Sequence, residues 1–333
     1  MSRQGAQQSE DWAARRETGR SSRQRRAQAL AAVCAVLGTL LLAGTVTRGD
    51  DGPSSQRASV ARAPIPKPAR ARPPTPSVAA PGARAPRRTP RAEPGTETVP
   101  ILMYHVIARP IPRAPYPGLY VPSAEFAAQM QALKRAGYHA VTLDQVRSYW
   151  RRGTPLPRKP IVLSFDNGYR TQFTRALPIL RRLHWVGDEN LQLTGLPPSQ
   201  GGLSAREVRL LVAAGWELDT QGISHADLTT LDASALRYQV ATARRLIQQR
   251  YHVAANWFCY PSGRYDPTVV EAVKAAGYVG STTVVPGWAG PGEDPFRLPR
   301  LRVLGGTSPA ELLALIAGTR EDGPAPTSYL PGG

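Results

Sequence analysis

Residues 161–170 read IVLSFDNGYR, and this stretch decides how the rest of the chain is interpreted. An apolar run leads into Ser164 and Phe165, and an acid, an amide and a glycine then end it. The pattern predicts a buried strand that presents polar groups to a site at its end. Asp166 is followed by Asn167, although a second acid would be a better ligand for a metal ion than an amide.

Strand-like apolar stretches alternate with amphipathic helix-like stretches from Val99 onward. Strands are predicted at residues 100–106, 139–143, 160–165, 216–222, 257–261, 278–284 and 300–304. Helices are predicted at residues 123–137, in a short stretch ending near Trp150, and at 171–183, 201–215, 231–251, 266–277 and 308–318. Repeated strand–helix units predict an α/β fold with a mainly parallel sheet, either a barrel or an open sheet.

Polar residues follow several of the predicted strands. In a barrel and in an open parallel sheet alike, functional groups collect where the strands end. We therefore expect one group of side chains to share a site: His105, Asp166, Asn167, Gln221, His225, Ser262 and Arg264. Asp219 lies in the same region and is interpreted as an ordinary acid near the end of a strand.

The N-terminal part of the chain concentrates positive charge and contains one long uncharged segment. The chain has 42 Lys and Arg residues against 24 Asp and Glu residues, and +10 of its net charge of +18 falls in residues 1–100. Residues 27–47 carry no charge, and as a helix they would span the roughly 30 Å hydrocarbon layer of a membrane. Arginines precede this segment, which predicts a cytoplasmic tail at 1–26, a transmembrane anchor and an extracellular remainder. A cleaved signal peptide is the alternative.

Residues 48–97 are rich in Pro, Arg and Ala, and they contain few apolar side chains that a core could bury. This composition predicts a disordered, extended linker. Outside a cell membrane such a cationic linker would meet anionic lipid or wall polymer, so nucleic acid is not an expected partner. Residues 321–333 are expected to be a flexible tail. Two cysteines, Cys34 and Cys259, provide no disulfide framework or metal-ligand cluster.

Five stretches of the globular part occur together and in a recognisable order: VPILMYHVI, PIVLSFDNGYRTQFTRALPIL, AAGWELDTQGISHADLTTL, FCYPSGRYDPTVVEAVKAAGY and LPRLRV. They resemble the polysaccharide deacetylase family (NodB homology, carbohydrate esterase family 4). That family has F-D-D-G at the end of a strand, H-x-x-x-H before D-L, and a Y-P-x-G-R-Y-D turn. For residues 98–320 the resemblance implies a distorted (β/α) barrel that removes acetyl groups from N-acetylated sugars.

The resemblance also implies roles for individual residues. It makes Asp166 the general base and His105 the general acid of the leaving amine. The backbone at Ser262 would lie in the turn that stabilises the oxyanion. The family's divalent metal, usually zinc, would be held at the positions of Asn167, Gln221 and His225.

Asn167 and Gln221 depart from the family pattern, which has an acid and a histidine at these positions. Neutral amides bind first-row divalent ions more weakly than carboxylate or imidazole does. Two hypotheses follow. The chain is a membrane-anchored extracellular deacetylase of cell-wall or related glycan that uses zinc, or it is a pseudoenzyme without a cofactor that binds glycan or serves as a scaffold.

Two further residues are candidates for contact with the glycan. Trp288 lies in the predicted loop VVPGWAGPGED, where its ring could stack on a sugar. Arg264 could bind an anionic glycan, and an ion pair with Asp266 is the structural alternative.

Overall fold

The alternation of strands and helices predicted from the sequence is present throughout the domain. The computed structural model describes residues 93–194, 196, 201–319, 327 and 329 of the 333-residue chain. Within these ranges no helix has both the length and the apolar character that crossing a bilayer requires. The predicted cytoplasmic tail, the predicted anchor at 27–47 and the predicted linker as far as residue 92 lie outside the described residues.

The described residues form nine strands and eight α-helices. The strands are β1 (Val99–Tyr104), β2 (His139–Val141), β3 (Pro160–Asn167), β4 (Asp188–Leu191), β5 (Glu217–Thr220), β6 (Trp257–Cys259), β7 (Gly280–Thr282), β8 (Trp288–Ala289) and β9 (Leu301–Arg302). The helices are α1 (Ser123–Arg135), α2 (Leu143–Arg152), α3 (Leu177–Arg182), α4 (Ala205–Ala213), α5 (Ala233–Arg237), α6 (Ala243–Tyr251), α7 (Pro267–Ala275) and α8 (Pro309–Gly318). A π-helical turn, Gln172–Ala176, leads into α3, and another, Tyr238–Thr242, joins α5 to α6.

Side chains at the helix starts explain where several helices begin. Ser204 and Ser308 each form a capping box with the glutamate three residues later. Ser123 does not cap α1, because Pro122 occupies the N-cap position and Ser123 is the first helical residue. The Ser123 hydroxyl donates instead to the carbonyl of Ile107, in the loop after β1.

The strands form one sheet that curves into a distorted barrel. Their order is β7-β6-β5-β4-β3-β1-β8, with β2 beside β3 and β9 beside β1. All of these pairs are parallel except β1 with β8. Leu298 bridges to Thr282 in β7, and Leu301 pairs with Leu102 in β1. The segment between Leu298 and Leu301 thus links β7 to β1, and the predicted parallel α/β fold is confirmed as a half-barrel.

Two strands were not predicted, and for different reasons. β4 reads DENL, with three polar residues in succession, and a buried strand is normally recognised by apolar residues. β8 has only two residues, in the stretch that was interpreted as a loop. Tyr329, in the tail expected to be flexible, exchanges two backbone hydrogen bonds with Tyr265 and is therefore held against the domain.

Carboxyl groups are buried together on β4 and β5. Asp188 and Asp219 are fully buried, and Glu217 shares a side-chain hydrogen bond with Asp219. The N–H groups of Leu143 and Asp144, at the start of α2, donate to Asp188 (2.8 Å) and Glu217 (3.0 Å). Burial raises the pKa of all three carboxyl groups, and that of Glu217 to about 7. The cluster is therefore most stable when it holds protons.

We expect Glu217 to make the domain less stable as the pH rises from 5 to 8. Its folded-state pKa of about 7 lies above the ordinary 4.5, so between these values the folded state binds more protons than the unfolded state. The stability that this extra proton binding contributes is fully present below pH 4.5 and is lost as the pH rises through the folded-state pKa of about 7. Glu217→Gln should reduce this loss by on the order of 2 kcal/mol.

Urea unfolding at pH 5 and pH 8 measures the effect. Glu271→Gln, on the exposed face of α7, is the matched control and should behave like the parent chain. A Glu217→Gln chain that loses as much stability as the parent between the two pH values would contradict the assignment.

Candidate functional site

A buried ion pair lies at the centre of the carboxyl edge of the sheet. Asp166, near the end of β3, receives two hydrogen bonds from Arg300, at 2.7 and 2.9 Å. Both side chains are about 1% exposed. Burial alone would raise the pKa of Asp166, but the guanidinium of Arg300 holds that pKa well below its usual range. Asp166 is therefore a carboxylate at every physiological pH.

Other groups occupy the remaining positions around Asp166. Asn190 in β4 donates to Oδ1 at 2.9 Å, and the thiol of Cys259 at the end of β6 lies 3.5 Å from Oδ2. With the two bonds from Arg300, these contacts fill the roughly four acceptor positions of a carboxylate. Burial raises the pKa of Cys259 to about 12, so it stays a thiol. These contacts stabilise the ionised form of Asp166 and disfavour its protonation.

His105 lies next to Asp166 at the end of β1. Its Nε2 atom is 3.9 Å from Asp166 Oδ2, and its buried Nδ1 atom has no hydrogen-bond partner among the described residues. Burial lowers the pKa of His105 to about 4, and the attraction of Asp166 offsets this only in part. The side chain of Gln172 donates to the carbonyls of both His105 (3.0 Å) and Asp166 (2.8 Å), which holds the ends of β1 and β3 together.

Asn167 occupies the first of the altered ligand positions. Its backbone is left-handed (φ 80°), a conformation that asparagine tolerates better than most residues, and Gly168 continues it (φ 84°). A Cβ atom on Gly168 would lie 2.4 Å from the side chain of Leu191, so this turn requires glycine. The Asn167 side chain donates to Oε1 of Gln192 at 3.1 Å. The hydrogen bond therefore holds the Asn167 amide against the Gln192 amide.

Gln221 and His225 follow β5. Gln221 is 2% exposed, and its Oε1 atom is buried with no partner among the described residues. His225 has a left-handed backbone (φ 57°), and burial lowers the pKa of its ring below the usual value. A proton on its ring would be attracted by Asp166 and repelled by a protonated His105, so the three side chains lie in one region. The ring is neutral at pH 7.

The donor set does not fit a tightly bound zinc ion. Among the residues that the structure describes, no three His, Cys, Asp or Glu side chains are grouped so that they could hold a metal ion. At the expected ligand positions only His225 has a side chain that zinc prefers. Asn167 already donates to Gln192, and Asp166 is held by Arg300. We therefore derive no reaction step that depends on a metal.

The turn after β6 has the conformation that its sequence suggests. Ser262 is exposed and left-handed (φ 54°), and a Cβ atom on Gly263 would lie 2.2 Å from Val284. The turn's two hydrogen bonds use the N–H groups of Gly263 and Arg264, so neither uses that of Ser262. Whether the Ser262 N–H stabilises an oxyanion stays a prediction.

Arg264 forms an ion pair with Asp227, which lies two residues beyond His225. The alternative partner suggested by the sequence, Asp266, instead accepts a hydrogen bond from the N–H of Val269 at the start of α7. Arg264 is thus part of the turn's own structure, and its carboxylate neighbour offsets the charge that would attract an anionic glycan.

Trp288 lies apart from the residues around Asp166. It pairs with Pro100, at the beginning of β1, whereas His105 follows the end of that strand. Its indole N–H donates to the carbonyl of Ile316 in α8 at 2.9 Å, and its ring packs on the main hydrophobic core. Trp288 was predicted to lie in a loop, and it instead forms β8 and packs on the core; its contact with a glycan stays a prediction.

Tyr116 is an exposed aromatic side chain near the site that sequence reasoning missed. It is 58% exposed and belongs to the loop after β1. Both ends of this loop are anchored at Val106, which accepts from Val121 and donates to Leu119, so the loop begins and returns beside His105. Tyr116 is a better placed candidate than Trp288 for stacking on a sugar ring.

Three other residues of the site were not singled out from the sequence: Arg300, Asn190 and Gln192. A signal for two of them was present, because Asp188, Asn190 and Gln192 alternate with other residues at the period of a strand. Arg300 lies in the stretch LPRLRV, which carries part of the family resemblance, but nothing in that stretch indicates its partner. It lies 134 residues from Asp166 in the chain, and only the closure of the barrel brings them together.

The family comparison agrees with this geometry. The family model "Polysaccharide deacetylase" matches residues 153–281. Residues 153–281 therefore match a polysaccharide deacetylase domain (NodB homology, carbohydrate esterase family 4), a class of hydrolases that act on carbon–nitrogen bonds, and the resemblance indicated by the motifs is confirmed over this range.

Individual proteins show how far the similarity extends. The chain is 25% identical over 210 residues to YxkH of Bacillus subtilis (strain 168), which is named as a candidate polysaccharide deacetylase, and the match covers 63% of this chain and 73% of YxkH. A 57-residue stretch is 44% identical to the poly-beta-1,6-N-acetyl-D-glucosamine N-deacetylase of Escherichia coli (strain K12), covering 17% of this chain and 8% of that protein. The deacetylase PplD of Streptococcus pyogenes, solved in complex with acetate, has a TM-score of 0.61 and 24% identity over 66% of this chain and 99% of PplD. That structure shows a shared fold.

Arg300→Met is expected to destabilise the domain by about 3–5 kcal/mol, because it leaves the buried carboxylate of Asp166 without its counter-ion. Urea unfolding at pH 7 measures this loss. Arg302→Met is the matched control, since Arg302 lies two residues away on β9 and is exposed; it should cost less than about 1 kcal/mol. Similar losses in the two variants would contradict the central role of the pair.

Proposed function

We propose that this chain is a membrane-tethered, extracellular protein whose polysaccharide deacetylase domain binds N-acetylated glycan without the zinc-dependent hydrolysis of its family. The single observation that carries the proposal is the occupation of two ligand positions by amides, of which Asn167 is hydrogen-bonded to Gln192. The uncharged segment 27–47, preceded by arginines, supports the tether and the cell-membrane location.

The protonation states of the two candidate catalytic residues also favour binding over hydrolysis. A general base needs a pKa near the working pH, whereas Arg300 keeps that of Asp166 far lower. With a pKa of about 4, roughly one His105 ring in a thousand is protonated at pH 7, so little general acid is present. Asp166 is ionised, as a general base must be, but its low pKa makes it a weak base, and His105 is mostly unprotonated.

The altered positions suit a neutral ligand. The buried Oε1 atom of Gln221 is an acceptor with no partner among the described residues. An acetamide N–H or a sugar hydroxyl can supply the missing donor, and an acceptor left unpaired on burial is costly. Tyr116 offers an exposed ring at the edge of the same region. Amide and aromatic groups together are typical of a site that recognises N-acetylated sugars.

Deacetylation is the second candidate function, because Asp166, His105 and His225 are all retained and lie in one region. Acetate release from N-acetylglucosamine oligomers by the full chain, with and without added zinc or cobalt, separates the two candidates. We expect binding of the oligomers by calorimetry and no acetate release. Metal-dependent turnover that is lost in Asp166→Asn would establish deacetylation instead.

Gln221→Leu is expected to weaken binding of the N-acetylglucosamine oligomers about tenfold, because it removes the buried acceptor. Tyr116→Ala should weaken it to a similar degree through the loss of stacking. Tyr238→Ala is the matched control, because Tyr238 is also largely exposed (54%) and lies on a helical segment. Calorimetric titration measures all three variants. Unchanged affinity in both site variants would place the glycan elsewhere.

The double substitution Asn167→Asp with Gln221→His is expected to raise zinc affinity by at least about a hundredfold, because it restores a carboxylate and an imidazole beside His225. Competition with a metal-binding dye measures the affinity. Gln249→His, on an exposed part of α6, adds a histidine elsewhere and should leave the affinity unchanged. A double variant that binds zinc no better than the parent would show that the three positions do not form one ligand shell.

A further inference from the structure

The amino edge of the sheet, opposite the candidate site, gathers positive charge. Each helix that follows a parallel strand runs back towards this edge, so the carboxyl ends of the helices collect there. Three of these helices end in a pair of exposed basic residues: Lys134 and Arg135, Arg151 and Arg152, and Arg181 and Arg182.

Four more exposed basic residues belong to the same edge. Arg158 and Lys159 precede β3, Arg250 lies in the last turn of α6, and Lys274 lies in that of α7. We call these ten residues the basic face. A cation at the carboxyl end of a helix is favourable, so the helices tolerate the arrangement.

Contacts between separate elements bring part of the basic face together. The ammonium group of Lys134, at the end of α1, lies 5.9 Å from the ring centre of Trp185, just before β4. Lys159 donates to the carbonyl of Ala136, beyond the end of α1, at 2.8 Å. The ends of these elements are therefore neighbours in space although they are distant in sequence.

The charge of the basic face is largely uncompensated. Within the described residues only Lys274 belongs to an ion pair, with Glu271. Near the opposite edge, by contrast, Arg170 pairs with Glu207 and Arg264 pairs with Asp227. An array of cations that the domain does not neutralise is suited to an anionic partner outside it.

The chain enters the domain at this face. Val99 begins β1 at the amino edge, and just before it the N–H of Gly95 donates to the carbonyl of Tyr149, near the end of α2. The described part of the chain therefore begins at the basic face.

The same side of the molecule carries an apolar cavity of about 410 Å³ between α3 and α4. Arg181 and Trp185 line it together with Leu210, which is 39% exposed. A cation beside an apolar wall suits a molecule with an anionic head and an apolar tail better than it suits a hydrophilic polymer.

From these observations we propose that the basic face docks on an anionic lipid bilayer and thereby turns the candidate site away from the membrane. The inference uses the proposed tether only to explain how the face reaches the bilayer, and it is independent of what the site binds. Its physical basis is the attraction of many dispersed cations to an anionic surface, which salt screens.

Lipid-headgroup quenching in the full chain tests the orientation. A fluorescent thiol label is placed at Arg135→Cys on the basic face or at Arg206→Cys at the opposite edge, in a Cys34→Ser background, since Cys259 is buried. Vesicles carry a headgroup quencher in zwitterionic lipid with or without about one-third anionic lipid. With anionic lipid, the label at position 135 should be quenched at least about twofold more than that at 206. In 0.5 M salt, where the screening length is about 4 Å, the difference should disappear.

Charge reversal identifies the residues responsible. Four substitutions on the basic face, made in a chain labelled at Lys134→Cys, should abolish the quenching of that label by anionic vesicles: Arg135→Glu, Arg151→Glu, Arg158→Glu and Arg182→Glu. Four matched substitutions at the opposite edge should leave it intact: Arg109→Glu, Arg113→Glu, Arg206→Glu and Arg237→Glu.

Two results would overturn the proposal. Equal quenching of the two labels, or quenching that does not depend on anionic lipid, would show that the face does not dock on the bilayer. If the four basic-face substitutions abolished binding to a soluble poly(glycerol phosphate) but left the quenching unchanged, the partner would be an anionic polymer. Binding of the chain to purely zwitterionic vesicles measures the tether alone. A failure of the tether can therefore be told apart from a failure of the basic face to dock.

Discussion

The pairing of Asp166 with Arg300 is the interaction on which the centre of the domain depends. It joins the end of β3 to the segment that closes the barrel, and Arg300 also donates to the carbonyl of Thr283 (2.7 Å) and the hydroxyl of Ser164 (3.0 Å). A charge buried this deeply requires a partner of opposite sign with matching geometry. Each member of the pair therefore depends on the other to remain in the interior.

This constraint also shapes the chemistry of the site. The guanidinium that makes Asp166 tolerable in the interior makes it a weak base, and the burial that surrounds His105 keeps that ring neutral. Around them, amides replace ligands that would have brought a metal ion. The result is a buried group of mostly neutral polar side chains around one ion pair, and the proposal that it recognises an uncharged acetylated sugar rather than cleaving it rests on this character.

The two edges of the sheet have opposite characters for one topological reason. Parallel strands with helical returns place the loops after the strands at one edge and the carboxyl ends of the helices at the other. The first edge holds Asp166, His105 and Gln221, and the second holds the basic face. The fold thus separates the proposed glycan site from the basic face by the length of the strands.

The sequence by itself determined the order of strands and helices, the family, and the altered residues Asn167 and Gln221, because periodicity and short motifs are local properties of a chain. It did not reveal β4, whose polar residues are buried by their neighbours in the sheet. Only the tertiary structure decided that Arg300 meets Asp166, that Gln192 holds Asn167, and that Trp288 packs away from the site. These contacts join residues far apart in sequence, and the curvature and closure of the sheet, which no local pattern encodes, bring them together.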